Sequence, residues 1–251
     1  MRTFKIFRYL PGEEPYWQDF TVECTPDEAI LTILNRIREK HDPSLAFRFS
    51  CRSAVCGSCS IQINGRPRLA CKTTIRQLEG DEIRLAPLPG LPVFKDLIVD
   101  LQPYWDSFKK VMPWLEEAGN SDKMVINNKV SDLQEAICTC ILCASCYSAC
   151  PEAGRDRDYL GPHALMEGYR LLQDPRDNAT ARRLEVLAGK EGAFGCDGAF
   201  GCINACPWNV APVKFVAKIR TAAMKVRMGL MKAEDACEYR AEALAGGNNN
   251  A

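Results

Sequence analysis

Residues 196–207 read CDGAFGCINACP, and the reading of this stretch decides the fold of the second half of the chain. The spacing C-x2-C-x2-C-x3-C-P ligates iron-sulfur clusters. Cys196, Cys202, Cys206 and Pro207 stand in that register, with Ala199 where the second cysteine belongs. Upstream the spacing is complete at Cys140, Cys143, Cys146, Cys150 and Pro151. Where two such runs share a domain, the fourth cysteine of each ligates the cluster built by the other. Cys206 then joins Cys140, Cys143 and Cys146 in a 4Fe-4S site, and Cys150 joins Cys196 and Cys202. Ala199 leaves the latter with three thiolates, which suits a 3Fe-4S cluster, a cuboid without the corner iron that an alanine cannot hold. Asp197 is offset from the empty slot by two residues.

A third group, Cys51, Cys56, Cys59 and Cys71, has the plant-type 2Fe-2S spacing. Asn64-Gly65 is a type I′ hairpin signal, because both residues tolerate positive φ. A two-residue loop there pairs Ile63 with Arg66 and sets Cys59 opposite Ala70, so the hairpin returns Cys71 to Cys59. Gly57 and the small residues Ser53, Ala54 and Ser58 let the loop wrap closely and aim backbone N–H groups at the sulfurs, which stabilises a reduced cluster. Structural zinc is the alternative for each group, although zinc modules usually join two C-x2-C pairs. Three cysteines remain. Cys24 at a strand end and Cys237 on a late helix read as buried free thiols, and Cys138 is an out-of-register neighbour of the first run.

At 251 residues the chain has room for two domains, each with its own core. Lys plus Arg and Asp plus Glu both number 32, so no global field draws it to nucleic acid or to an anionic membrane. No apolar run approaches the ~18 residues of a membrane span, and the start lacks an apolar secretory core. The expectation is a soluble subunit of a cytosolic-type compartment, where 14 cysteines serve as metal ligands rather than disulfides. His41 and His163 are the only histidines and neither adjoins a cysteine group, which excludes Rieske-type ligation and C-x-x-C-H haem attachment. His163 reads as a packing or capping residue near a helix start.

The expected fold class is α+β. Residues 1–105 form a plant-type (β-grasp) 2Fe-2S ferredoxin domain, and residues 106–251 an all-helical, bacterial-type two-cluster ferredoxin domain. Alternation in TFKIFRY (3–9) predicts a strand, with DFTVEC as its hairpin partner. Thr25-Pro26-Asp27-Glu28 predicts a capped helix start carrying Ile30, Leu34 and Ile37 on one face. APLPGLP (86–92) predicts a break in regular structure. Apolar spacing predicts helices around Asp132–Ile137, Pro162–Leu172 and Ala211–Met228. The last of these carries Lys214, Lys218, Arg220, Lys225 and Arg227, a solvated face or a contact with lipid headgroups. The tail GGNNNA is expected to be flexible.

A plant-type 2Fe-2S domain followed by one full and one Ala-interrupted run resembles the iron-sulfur subunits of succinate dehydrogenase and quinol:fumarate reductase. CRSAVCGSC, the NGRPRLAC hairpin, LAPLPGLPVFKDLIVD and both CP runs carry the resemblance, which covers nearly the whole chain. It implies an electron-transfer subunit of respiration and the tricarboxylic acid cycle, placed between a flavoprotein with covalent FAD and a membrane anchor that binds quinone and often haem b. Electrons pass from flavin through the 2Fe-2S, 4Fe-4S and 3Fe-4S clusters to quinone, or the reverse. It further implies a location at the cytoplasmic face of the cell membrane, through the anchor alone. No residue for dicarboxylate chemistry is identified, so no catalytic residue is assigned. Arg155 and Asp197 stand where ubiquinone-reducing relatives carry Trp and His, which points to menaquinone. Two other readings share the cysteine pattern, a free-standing three-cluster ferredoxin and the wiring subunit of another flavoenzyme complex. The APLPGLPVF segment and the 2Fe-2S domain placed first favour the succinate/fumarate family.

Overall fold

In the computed structural model, which describes residues 1–116, 126 and 128–240, the N-terminal alternation becomes strand β1 (Arg2–Arg8), with Phe4 and Ile6 fully buried. It pairs antiparallel with β2 (Tyr16–Val22) and parallel with β5 (Glu82–Ala86). β3 (Ser60–Ile63) and β4 (Arg66–Leu69) complete a five-stranded sheet in the order β2-β1-β5-β3-β4. Helix α1 (Ile30–Lys40) buries Ile30, Ile33, Leu34 and Ile37 in the core formed with the sheet.

The start of α1 differs from the sequence expectation. Thr25–Glu28 is a closed turn, in which the Glu28 carboxylate accepts the Thr25 N–H at 2.7 Å. Ala29 then bridges to Thr74, and the helix begins at Ile30. Pairing with Thr74, distant in sequence, holds Ala29 extended, so a local capping signal is spent on a turn instead. A capping box does occur at Thr74 and Gln77.

After β5 the Pro/Gly-rich stretch is irregular as expected, and β6 (Val93–Lys95) and β7 (Ile98–Val99) form a small two-stranded sheet. Asp96 ties this excursion back to the larger sheet. Its buried carboxylate accepts from Arg8 Nε at 3.0 Å and from the backbone N–H groups of Tyr9 and Ala46.

The rest of the described chain is helical: α2 (Gln102–Lys110), α3 (Asn128–Cys138), α4 (Ser145–Ser148), α5 (Pro151–Arg155), α6 (Gly161–Leu172), α7 (Thr180–Leu187), α8 (Gly201–Ala205) and α9 (Val213–Arg227). Helix α6 is buried on nearly every side and touches α2, α3, α4, α7 and α9, the environment an all-round apolar helix requires. His163 sits at its start, fully buried and stacked on Tyr104 at 3.9 Å, a packing residue. Arg183 and Asp177, both wholly buried, pair at 2.9 Å, and the guanidinium also caps the carbonyl oxygens of Val111 and Trp114. The GGNNNA tail lies outside the described residues.

The basic face of α9 is mostly exposed, with Lys214, Lys218, Lys225 and Arg227 at the surface and Arg220 half-buried. Arg220 donates to the carbonyl oxygens of Ala193 and Cys196, and Arg227 lies over the Phe194 ring. These contacts attach α9 to the loop that leads into Cys196.

The sheet-bearing and helical parts meet through their cysteine loops. Gly57 has a φ of +71°, and a methyl group added there would stand 2.8 Å from both Cα and Cβ of Cys143. Ser60 Oγ and Ser145 Oγ lie 2.8 Å apart, Trp208 Nε1 donates to the Ala54 carbonyl at 3.1 Å, and Lys72 Nζ donates to the Pro207 carbonyl. A Gly57→Ala variant therefore faces left-handed strain of about 1–2 kcal/mol together with this clash. Its two parts are expected to separate locally, giving a lower melting temperature and faster proteolysis between residues 87 and 101 than a Ser58→Ala control. Equal stability would show that the contact is not close.

Candidate metal centres

The hairpin forms in the register read from the sequence. Asn64 and Gly65 have φ of 46° and 78°, Ile63 pairs with Arg66, and the Ala70 N–H bonds to the Cys59 carbonyl at 3.0 Å. Cys71 returns beside Cys59, its N–H 3.4 Å from Cys59 Sγ. Around the loop, Cys51 Sγ accepts the N–H groups of Ser53, Val55 and Cys56 at 3.3–3.4 Å, and the Cys51 N–H points to Cys56 Sγ at 3.5 Å. Left-handed backbone at Arg52 and Ala54 turns these amides inward. At Cys56 burial opposes ionisation, yet hydrogen bonds from the Ser58 hydroxyl and the Cys51 and Ser58 amides hold the thiol down at about 6. Burial pushes Cys59 up to about 12.

Cys140, Cys143, Cys146 and Cys206 share the wall of one cavity, also lined by Tyr104, Met166 and Pro212. Cys150, Cys196 and Cys202 share another, with Ala199, Tyr159 and Val216 on its wall. The crossing of Cys150 and Cys206 between the runs is thus present in the backbone.

The runs also share a local conformation. Ala144, which follows the second cysteine of the first run, has φ 62° and ψ 1° and precedes α4. Phe200, which follows Ala199, has φ 57° and ψ 7° and precedes α8. Neither residue is a glycine, and a left-handed alanine or phenylalanine costs roughly 1–2 kcal/mol. The second run keeps a cysteine-loop backbone at the position where it has no thiol.

The donor sets fit iron-sulfur clusters. All 14 cysteines are free thiols, and among the described residues no three His, Cys, Asp or Glu side chains converge as for a single ion. Burial pushes Cys140 and Cys202 up to about 11. Burial, then repulsion from Cys143, Cys140, Cys202 and Cys206, pushes Cys146 well above the ordinary thiol range. Such sulfurs become thiolates when a cationic centre compensates their charge. The Val210 amide already points to Cys206 Sγ at 3.4 Å, and Tyr104, on the first cavity wall, has a hydroxyl with no partner among the described residues.

Of the unassigned cysteines, Cys237 is buried as expected, after a turn at Ala233–Ala236 rather than on a long helix. Cys24 is only half-buried, two residues past the end of β2, and packs against the edge of the sheet core. Cys138 is exposed at the last position of α3. Arg155 Nη1 and Asp197 Oδ2 lie 3.9 Å apart beside the second cavity, and Arg155 also pairs with Glu152 at 2.9 Å. Sequence reading singled out Arg155 and Asp197 but not Glu152, Tyr104 or Trp208, whose places depend on contacts distant in sequence.

Two family models match the chain, a 2Fe-2S iron-sulfur cluster binding domain over residues 3–106 and a 4Fe-4S dicluster domain over residues 134–207. The succinate dehydrogenase iron-sulfur subunit of Coxiella burnetii is 36% identical, over 87% of this chain and 95% of that protein. The fumarate reductase iron-sulfur subunit of Haemophilus influenzae is 33% identical, over 84% and 89%. A solved structure titled as the Mycobacterium smegmatis Sdh1 complex in the apo form contains a chain of like fold, with a TM-score of 0.82 at 23% identity and coverage of 92% of this chain and 98% of that one. This chain belongs to the family of succinate dehydrogenase and fumarate reductase iron-sulfur subunits, and its part in such oxidoreductases is electron transfer.

Proposed function

We propose that the chain holds three clusters in series: 2Fe-2S on Cys51, Cys56, Cys59 and Cys71, 4Fe-4S on Cys140, Cys143, Cys146 and Cys206, and 3Fe-4S on Cys150, Cys196 and Cys202. The β-grasp 2Fe-2S domain ends near residue 105, and a bacterial-type two-cluster domain follows. When bound, the clusters supply one-electron carriers between a two-electron flavin and a quinone. The cysteines fix their order. The amides around Cys51 favour added negative charge, and the apolar walls formed by Met166, Pro212 and Val216 keep water from the inner sites.

The observation that carries this reading is the alanine in a cysteine-loop backbone. Ala199 lies between left-handed Gly198 and Phe200 as Cys143 lies between left-handed Leu142 and Ala144, on the wall of a cavity with three thiols. A fourth iron there has no thiolate ligand, and the two carboxylates on that wall, Glu152 and Asp197, pair with Arg155.

The partners follow from the family: a flavoprotein with covalent FAD on the 2Fe-2S side, and a quinone-binding anchor, with or without haem b, on the 3Fe-4S side. Among the described residues no helix is long and apolar enough to cross a membrane, so attachment at the cytoplasmic face runs through the anchor. The Arg155–Asp197 pair occupies the surface where relatives present Trp and His, and this favours menaquinone.

Gentle detergent extraction of native membranes should yield this chain with a flavoprotein and an anchor. A stable monomer that reduces many soluble acceptors would instead support the free-standing ferredoxin. Ala199→Cys should convert the 3Fe-4S cluster to 4Fe-4S and lower its potential, since a thiolate adds negative charge. Electron paramagnetic resonance of the oxidised complex should lose the three-iron signal while a new reduced-state signal appears. An unchanged signal, with the introduced thiol still open to alkylation, would misplace the slot.

A further inference from the structure

Tyr104 has a buried hydroxyl that none of the described side chains or backbone groups uses. The residue is fully buried on α2, and its Oη has no hydrogen-bond partner among the described residues. A buried hydroxyl without a partner is costly, and native structures keep one where something else meets it. Its ring is held on three sides: stacked on His163 at 3.9 Å, and edge-on to Trp105 at 4.9 Å and to Tyr147 at 5.7 Å. The backbone is pinned as well, because the Tyr104 carbonyl accepts from His163 Nε2 at 3.1 Å and from Ser107 Oγ at 2.9 Å. The side chain lines the cavity that Cys140, Cys143, Cys146 and Cys206 share.

The charge environment agrees with that placement. Burial drives the phenol above its ordinary range, and repulsion from Cys146, Cys140 and Cys143 drives it further. The hydroxyl has no acceptor among the described residues, on a side chain that shares its cavity wall with those thiols. Two other buried phenols, Tyr147 and Tyr169, also lack partners, but neither lines this cavity.

We propose that the Tyr104 hydroxyl donates a hydrogen bond to a sulfur of the cluster held by Cys140, Cys143, Cys146 and Cys206 and thereby raises its potential. The inference rests on the 4Fe-4S reading of those four cysteines. Reduction adds one electron and no proton, and the electron that arrives from the 2Fe-2S side is the one that leaves toward the 3Fe-4S side. The O–H donor strengthens as the cluster gains charge and weakens as it loses it, so it favours the reduced state. Tyr104 acts through the cluster and is a positioning residue for electron transfer. Its hydroxyl keeps the middle carrier of the series from becoming too unfavourable to reduce.

The test is a redox titration followed by electron paramagnetic resonance on the assembled complex. Tyr104→Phe removes one oxygen and leaves the stacking intact. The 4Fe-4S midpoint should fall by about 59 mV, the one-electron equivalent of a tenfold change in the reduction equilibrium. The 2Fe-2S and 3Fe-4S midpoints should not move. Site-specific replacement of Tyr104 by 3-fluorotyrosine keeps the hydroxyl, makes it a stronger donor and should move the midpoint the other way. It also serves if the phenylalanine variant fails to load its cluster. An unmoved 4Fe-4S midpoint in a loaded variant, or a lowered one with fluorotyrosine, would overturn the inference. Absence of any 4Fe-4S signal in the unmutated complex would overturn the cluster reading instead.

Discussion

The helical half depends on how closely its two cysteine runs cross. Gly201 opens α8 directly against the end of α4, and a methyl group on it would come within 2.3 Å of the Ala149 carbonyl oxygen. No other residue type permits that approach without moving one run. Because the runs touch there, Cys150 lies on the same cavity wall as Cys196 and Cys202, and Cys206 on the same wall as Cys140, Cys143 and Cys146. Two separate loops would each present three or four thiols to solvent. Crossed, they build two adjoining cavities from one layer of backbone, which places the proposed inner carriers side by side.

Such loops are strained and need a stiff support. Arg52, Ala54, Leu142, Ala144 and Phe200 all have left-handed backbones, at roughly 1–2 kcal/mol each. The support is α6, buried among its neighbours, together with the Arg183–Asp177 pair, which closes the carbonyl ends of the segment after α2. Breaking a buried pair of this kind costs about 3–5 kcal/mol. On the other side, Asp96 and Arg8 fix the β6–β7 excursion against the sheet. The polar links Ser60–Ser145, Trp208–Ala54 and Lys72–Pro207 then join the outer cysteine loop to the first cavity.

Features governed by spacing and by short-range geometry were legible in the sequence. The Asn64-Gly65 turn dictates the Ile63–Arg66 pairing, and the C-x3-C-P ends dictate the exchange of Cys150 and Cys206 between cavities. The fold class follows from the same signals, with alternation in the first part and helical periodicity in the second. Features set by distant contacts were not legible. Thr25 has every local mark of a helix cap, but the Ala29–Thr74 bridge delays the helix to Ile30. Arg220 reads as a surface cation until α9 packs beside the loop before Cys196. Tyr104 is one aromatic among several in a helical segment, and only tertiary packing sets it on the wall of the first cavity.

The central claim is that the three cysteine groups hold clusters of different nuclearity in a fixed order. Mössbauer spectroscopy of the iron-57-labelled complex, combined with an iron count per chain, tests it most directly. The account predicts about nine irons, in spectral areas of two, four and three, with no zinc. Two equal four-iron components, or zinc in place of any one cluster, would contradict it.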